Sequence, residues 1–302
     1  SAWERESFVT PLIEPPRGPL AQLLDRADEQ EWLVRPRLAP DNPRLLSPGI
    51  LWNVQRGSFA QRTEFFGPIV SVLGARDLDD GLSILNDTDY GLTAGFVGLS
   101  EGEQRRFLAG MKAGNLYVNR PITGAVVGRQ PFGGRKQSQF GPGAKAGGPD
   151  YVLGFCHVRS KGRSVAVARD VLGTSARGEV NFLRYQPRRV VVLVCLDAGA
   201  EEVELCLRAA RRMRAPVELT RVDDATSWAR LEGREALRVR LVGTPSAEVL
   251  ERAGALGWTL LSEPVTSDAA LEDRLYLDEQ SISIAYHRHG NTRLRPALRP
   301  AP

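Results

Sequence analysis

The sequence predicts an α/β protein in two parts, on three observations. Short apolar strands alternate with capped helices through the first third of the chain. A Gly- and Pro-rich stretch without periodicity then runs from Thr123 to Tyr151. A second α/β series opens on the continuous apolar run Val190 to Val194.

In the first part, Pro19 suits the first position of a helix through Leu20, Leu23 and Leu24 to about Trp32. A Pro-rich connector follows from Pro36 to Pro48, then strands over Ile50 to Val54 and Ile69 to Leu73. Asp77 reads as the N-cap of a helix reaching Asn86, with Asp79 and Asp80 favourably placed against the helix dipole. Thr93 to Leu99 reads as a strand. Ser100 and Glu103 form a capping-box pattern for a helix expected to stop at Gly114, and Leu116 to Val118 is the next strand. Strands spaced by helices in this way imply a mainly parallel sheet covered on both faces.

In the second part, helices are expected over Ala200 to Met213, Thr226 to Leu231 and Ala247 to Ala255. Strands are expected over Val217 to Val222, Leu237 to Val242 and Thr259 to Leu261, with Ser281 to Ile284 closing the series. The boundaries are then a first domain over 1–165, a linker over 166–188, and a smaller doubly wound domain over 189–302 with an extended Arg- and Pro-rich tail from Arg293.

Composition narrows the class. Of 302 residues, 42% are hydrophobic and 25% charged, the balance of a soluble globular protein. No apolar run is long enough to span a membrane, and the N-terminus lacks the pattern of a secretory signal. The chain opens without Met and reads as a partial or processed product. Cys156, Cys195 and Cys206 lie far apart without CxxC spacing. That disfavours a metal knot or disulfide framework and fits a reducing, cytoplasmic compartment. The net charge of +4 comes from Arg spread along the chain among acids, unlike the one-sided basic face of a nucleic-acid binder.

Most candidate sites have bland readings. Cys156 beside His157 is no nucleophile–base pair, since neighbours on a strand point to opposite faces. Cys195 and Cys206 read as core. His287 and His289 would share a face if extended but lack a third ligand, so no metal site is assigned. Gly141-Pro142-Gly143-Ala144-Lys145-Ala146 is a near match to a dinucleotide fingerprint, but no strand precedes it. The second domain has no glycine trio after Val194 and is read as binding no nucleotide.

Three segments carry a resemblance. They are Glu64-Phe65-Phe66-Gly67-Pro68, Tyr90-Gly91-Leu92-Thr93-Ala94-Gly95, and Gly114-Asn115-Leu116-Tyr117-Val118-Asn119-Arg120 continuing through Thr123 to Gly134. Their order resembles the back half of the aldehyde dehydrogenase catalytic domain. The TGAVVGRQPFGG stretch, with Lys145 to Pro149, resembles the L-glutamate γ-semialdehyde (Δ1-pyrroline-5-carboxylate) dehydrogenase branch. The match covers about residues 6 to 160. Residues from about 180 resemble more weakly the C-terminal, Rossmann-like domain of the long bifunctional proline utilisation A proteins.

The resemblance implies NAD-dependent oxidation of glutamate semialdehyde to glutamate, in proline breakdown. A Cys thiolate attacks the aldehyde, hydride passes to nicotinamide, and water activated by a Glu releases the acid. Glu64 would accept hydrogen bonds from the nicotinamide ribose, with Phe66 beside the nicotinamide. Thr123, Gly124 and Ala125 would anchor the substrate's α-carboxylate through backbone N–H groups, and Phe132 would flank its aliphatic middle. On the residues alone, Glu64 also reads as a solvated acid and Phe66 as core, while Gly124 reads as a surface turn and Phe132 as a buried plug.

In the family the nucleophilic Cys, the general-base Glu and the NAD domain precede the segment resembling Ser7 to Ile13. The resemblance therefore implies that no catalytic residue lies in this chain, that it is inactive alone, and that it needs the remaining N-terminal portion of the enzyme. It also implies an oligomer, through strands near Tyr151 to Ser164. Two other functions stay open: a non-catalytic assembly module covering a tunnel mouth, and an aldehyde dehydrogenase of other specificity.

Overall fold

The computed structural model describes residues 9–26, 31–139, 141–156, 170–172, 176–232, 234, 237–288 and 291–292. The segment Ser7-Phe8, the pair partner His157, most of the expected subunit-pairing strand, His289 and the tail from Arg293 lie outside them. The chain divides into two compact units, Ser1–Asp89 and Tyr90–Pro302.

In the first unit, helix α1 (Gly18–Asp25) begins on Pro19 and buries Leu20 and Leu23. It is shorter than the sequence suggests, because Trp32 belongs to strand β1 (Trp32–Val34). A hairpin joins β2 (Leu38–Ala39) to β3 (Asn42–Leu46). Strand β4 (Gly49–Leu51) runs antiparallel to β1. After helix α2 (Phe59–Arg62), strand β5 (Ile69–Ser71) pairs with β4 in parallel. Leu20, Leu23, Leu46, Leu51, Ala60 and Phe65 form the core of this unit. Helix α3 (Leu78–Asn86) starts where expected, with the Asp77 carboxylate accepting the Asp80 N–H at 2.9 Å.

The second unit begins with β6 (Tyr90–Gly91) and β7 (Thr93–Phe96). Helix α4 (Glu101–Gly110) is capped by Ser100, which accepts the Glu103 N–H, and it ends four residues before Gly114. Strand β8 (Asn115–Val118) is buried along its whole length, and β9 (Arg135–Lys136) pairs antiparallel with β6. A 3-10 turn occupies Tyr151–Phe155, where the sequence reading expected part of a pairing strand. Then come β10 (Asp170–Leu172), β11 (Glu179–Pro187), β12 (Val190–Val194), α5 (Ala200–Met213), β13 (Val217–Arg221), α6 (Ala225–Glu232), β14 (Arg238–Val242), α7 (Ala247–Ala255), β15 (Thr259–Leu261), α8 (Ala269–Arg274), β16 (Leu277–Ala285), β17 (His287–Arg288) and β18 (Asn291–Thr292).

Two sheets organise this unit. The smaller is wholly parallel, in the order β13-β12-β14-β15. Period-2 alternation splits its central strand cleanly. Val190, Val192 and Val194 pack with Cys206, Ala209 and Ala210 of α5 and with Tyr276. Val191 and Leu193 pack with Trp228 and Leu231 of α6, Val249 and Ala253 of α7, and Trp258. An apolar strand covered on both faces is what a parallel sheet requires.

The larger sheet differs from the sequence expectation. Its order is β10-β11-β16-β8-β7, with β7, β8 and β16 parallel and β16, β11 and β10 antiparallel, so it is mixed rather than mainly parallel. Residues Glu179–Pro187, placed by the sequence in a linker, form a nine-residue strand. Ser281 to Ile284 do not close the doubly wound series but pair with Asn115 to Val118. The reason is polar. The first half of β16, Asp278-Glu279-Gln280-Ser281, reads as surface yet is buried, because each of its three long side chains has a partner. Gln280 Nε2 donates to the carbonyls of Met111 at 3.1 Å and Ala113 at 2.7 Å.

Candidate functional site

Glu64 and Phe66 lie in the first unit, on the turn between α2 and β5. Phe65 is buried there and meets the Phe59 ring edge-on at 5.5 Å between centroids. Its neighbour Phe66 is 80% exposed and stands at a φ of 51°, in the left-handed region where a bulky side chain is uncommon. The core reading of Phe66 therefore fails. Together with Phe65, Gly67 and Pro68 it lines a cleft of about 500 Å³ whose other wall is Thr10 to Arg17. The Glu64 carboxylate is exposed and makes no hydrogen bond or ion pair among the described residues. Its oxygens can accept hydrogen bonds and donate none when ionised.

Thr123, Gly124, Ala125 and Phe132 lie in the second unit, on one continuous loop between β8 and β9. Gly124 has a φ of 75° and open space where a Cβ would stand. No hydrogen bond among the described residues uses the backbone N–H of Thr123, Gly124 or Ala125. The next N–H, that of Val126, is taken by Gln130 Oε1 at 2.9 Å. Gln130 is buried, and its Nε2 donates to Glu179 Oε1 at 2.9 Å and Asn181 Oδ1 at 2.7 Å. Arg120 pairs with Glu179 and donates to Ser283 Oγ at 2.8 Å. A segment with open amides is thus pinned at both ends on β11 and β16.

Phe132 is 41% exposed, so it is not a buried plug. Its backbone exchanges two hydrogen bonds with Ala146, both 2.9 Å. Behind it sits a polar hub that the sequence reading did not single out. Asn115 Nδ2 donates to the Pro131 carbonyl at 3.0 Å, and its Oδ1 accepts the Gly133 N–H at 3.2 Å. Lys145 is 1% exposed and donates to the Gly133 carbonyl and, at 3.4 Å, to Asn115 Oδ1. Burial pushes the Lys145 ammonium down to about 8, against the raising influence of Glu279. Burial likewise pushes the Glu279 carboxyl up to about 7, against the lowering effect of the Lys145 N–H it accepts at 2.8 Å. Lys145 is one of few lysines in an Arg-rich chain, the one sequence signal that could have flagged it.

Of the cysteines, Cys195 and Cys206 are buried in the small α/β core, where burial raises both thiols, and Cys156 is exposed. Gly141 to Ala146 is turn and loop, ending on the bridge at Ala146; the two-residue strand β9 precedes it and, among the described residues, it opens no α-helix. Among the described residues no helix is long and apolar enough to cross a membrane.

The model of the aldehyde dehydrogenase family matches residues 4–161, and the chain belongs to that family. Within it, the chain is 41% identical over 121 residues to 1-pyrroline-5-carboxylate dehydrogenase of Bacillus subtilis (strain 168), covering 40% of this chain and 23% of that protein. It is 40% identical over 162 residues to the protein of the same name from Geobacillus thermodenitrificans (strain NG80-2), covering 52% and 30%. The chain therefore spans about a quarter to a third of these relatives. The structure of proline utilization A (PutA) from Corynebacterium freiburgense superposes on 95% of this chain and 32% of its own, with a TM-score of 0.80 and 30% identity.

Proposed function

We propose that this chain supplies cofactor- and substrate-binding residues of an NAD-dependent dehydrogenase that oxidises L-glutamate γ-semialdehyde to L-glutamate. Residues to about 165, with β11 and β16 filling the larger sheet, would be the C-terminal half of the catalytic domain, and the stretch around the parallel sheet β13-β12-β14-β15 a smaller Rossmann-like α/β domain. The observation that carries this reading is the pinned loop at Gly124, whose adjacent amides have no partner among the described residues. Unpaired N–H groups on a rigid turn form an anion-binding concavity suited to a carboxylate. Identity with relatives named 1-pyrroline-5-carboxylate dehydrogenase supports the same substrate.

NAD, when bound, supplies the hydride acceptor. The chain's own residues bind and orient. Glu64 accepts from the ribose hydroxyls, and Phe66 offers an exposed ring beside the nicotinamide. Thr123, Gly124 and Ala125 hold the α-carboxylate so that the aldehyde end is presented to the nucleophile, and Phe132 packs against the methylenes between. The nucleophile and general base would come from the part of the enzyme resembling the family's N-terminal portion. The 95% coverage by the PutA structure favours a protein of that larger type over a free-standing assembly module.

The test is NAD reduction by the complete gene product carrying this chain. Glutamate semialdehyde is expected to be turned over with a far higher kcat/KM than propanal, which has no carboxylate to anchor. Equal specificity for the two aldehydes would defeat the assignment.

A further inference from the structure

We infer that Arg238, on the small parallel sheet, is a positioning residue for the substrate loop, acting through a buried chain of guanidinium groups; this rests on the functional reading above. The side chain of Arg238 is buried, and its guanidinium donates to the carbonyls of Pro142 at 2.5 Å and Gly141 at 3.1 Å. The contact is shaped on both sides. Gly143 has a φ of 89°, and a Cβ there would stand 1.8 Å from Gln139 Nε2 and 2.8 Å from Arg238 Nη2. A Cβ there would push both side chains aside, at a φ that favours glycine.

From that point the structure runs back to Phe132 in short steps. Gln139 Nε2 donates to the Gly143 carbonyl at 3.0 Å, and its Oε1 accepts from Arg188 Nη2 at 3.0 Å. Arg188 meets Asp278 Oδ1 at 2.7 Å, and Arg135 donates to Asp278 Oδ2 at 2.9 and 3.2 Å. Arg135 lies directly beyond Gly133 and Gly134, while Glu279, next to Asp278, accepts the Lys145 N–H. Lys145 and Ala146 return the chain to Phe132 through the paired backbone bonds. The segment from Phe132 to Ala146 is therefore a closed staple, and Arg238, Arg188, Asp278 and Glu279 are the points that fix it. Three of the anchors, Arg238, Asp278 and Glu279, come from β14 and β16. Arg238 on the small parallel sheet and Asp278 and Glu279 on the larger sheet thus act together to set where Phe132 stands.

Buried charge explains why the staple is rigid. Burial pushes the Asp278 carboxyl up, but Arg188, Arg135 and Arg238 outweigh it and hold the group below the usual carboxylate range. Each guanidinium would leave a neighbour unpaired if it moved.

Two variants of the complete gene product approach the contact from opposite sides. Arg238→Ala removes the guanidinium, and Gly143→Ala pushes a methyl group against Gln139 and that guanidinium from the loop side. Both are expected to raise KM for glutamate semialdehyde on the order of tenfold, with kcat changed less than about threefold and propanal kinetics unaltered. Arg238→Lys should recover part of the loss. Amide hydrogen exchange supplies a readout without turnover: Ala146 N–H should exchange faster in both variants. Unchanged exchange at Ala146 together with unchanged KM overturns the inference. If the parent protein fails to oxidise glutamate semialdehyde, the functional reading falls while the exchange result still decides the positioning role.

Discussion

Asn115 and Gly133 are joined at 3.2 Å, side-chain oxygen to backbone amide, and the same asparagine reaches the Pro131 carbonyl with its nitrogen. One residue at the start of β8 thereby fixes both sides of Phe132. Asn115→Ala would strand a buried N–H, a buried carbonyl and part of the Lys145 ammonium. The expected cost is about 2–4 kcal/mol, since each buried unsatisfied group carries its full desolvation penalty. Urea denaturation checks this; a loss under about 0.5 kcal/mol would show that water replaces the asparagine freely.

The loop itself is tested at Gly124. A β-branched residue is strained at a φ of 75°, and Asn tolerates that region better. Gly124→Val should raise KM for glutamate semialdehyde about 10-fold or more, the worth of a charge-assisted hydrogen bond, and Gly124→Asn should raise it less. Steady-state kinetics on the two aldehydes decides: a parallel loss with propanal would point to a collapsed loop instead of a lost anchor.

Much of this architecture was legible in the sequence, and the failures share a cause. Helices α3, α5 and α7 stand where capping and apolar spacing put them, because local bonds decide helix ends. The Gly124 and Phe132 loop was identifiable only through resemblance, since nothing periodic marks it. Strands β11 and β16 were missed or truncated because buried polar residues interrupt their apolar ones and are satisfied by groups distant in the chain. Arg184 bonds Gln280, 96 positions away, and Gln130 bonds Asn181 across 51. Asn115, Gln130 and Lys145 escaped for the same reason: their roles exist only once the loop has folded over the sheet.

Acidity offers a third test. The Glu279 carboxyl is raised from 4.5 to about 7 in the folded protein, so the native state holds a proton that the unfolded chain releases. Its contribution to stability is full below about pH 4.5 and is lost as pH rises to about 7. Glu279→Gln keeps an acceptor for the Lys145 N–H but cannot titrate. Across that window the unfolding free energy of the parent should fall relative to the variant by about 3 kcal/mol, read from urea denaturation at each pH. Parallel profiles would contradict the assignment.

A fourth prediction concerns the small parallel sheet. Arg240 and Glu272 form a bidentate pair at 2.9 Å through both contacts, each side chain wholly enclosed. Arg240→Met alone should cost about 3–5 kcal/mol, because Glu272 loses its buried partner. Adding Glu272→Leu should return most of it. A double variant as unstable as the single one would mean that the surrounding bonds of Arg240 to the Leu261 and Glu263 carbonyls matter more than the charge pairing.

The position of β16 between β8 and β11 has a consequence for synthesis and for engineering. The bond from Gln280 to Ala113 spans 167 positions, so the middle of the larger sheet stays empty until β16 has left the ribosome. Until then β8 offers a bare apolar edge, the kind of surface on which nascent chains associate wrongly. Cutting the protein near residue 188 to isolate its first part would make that exposure permanent. The useful boundary for expression lies beyond Ala285.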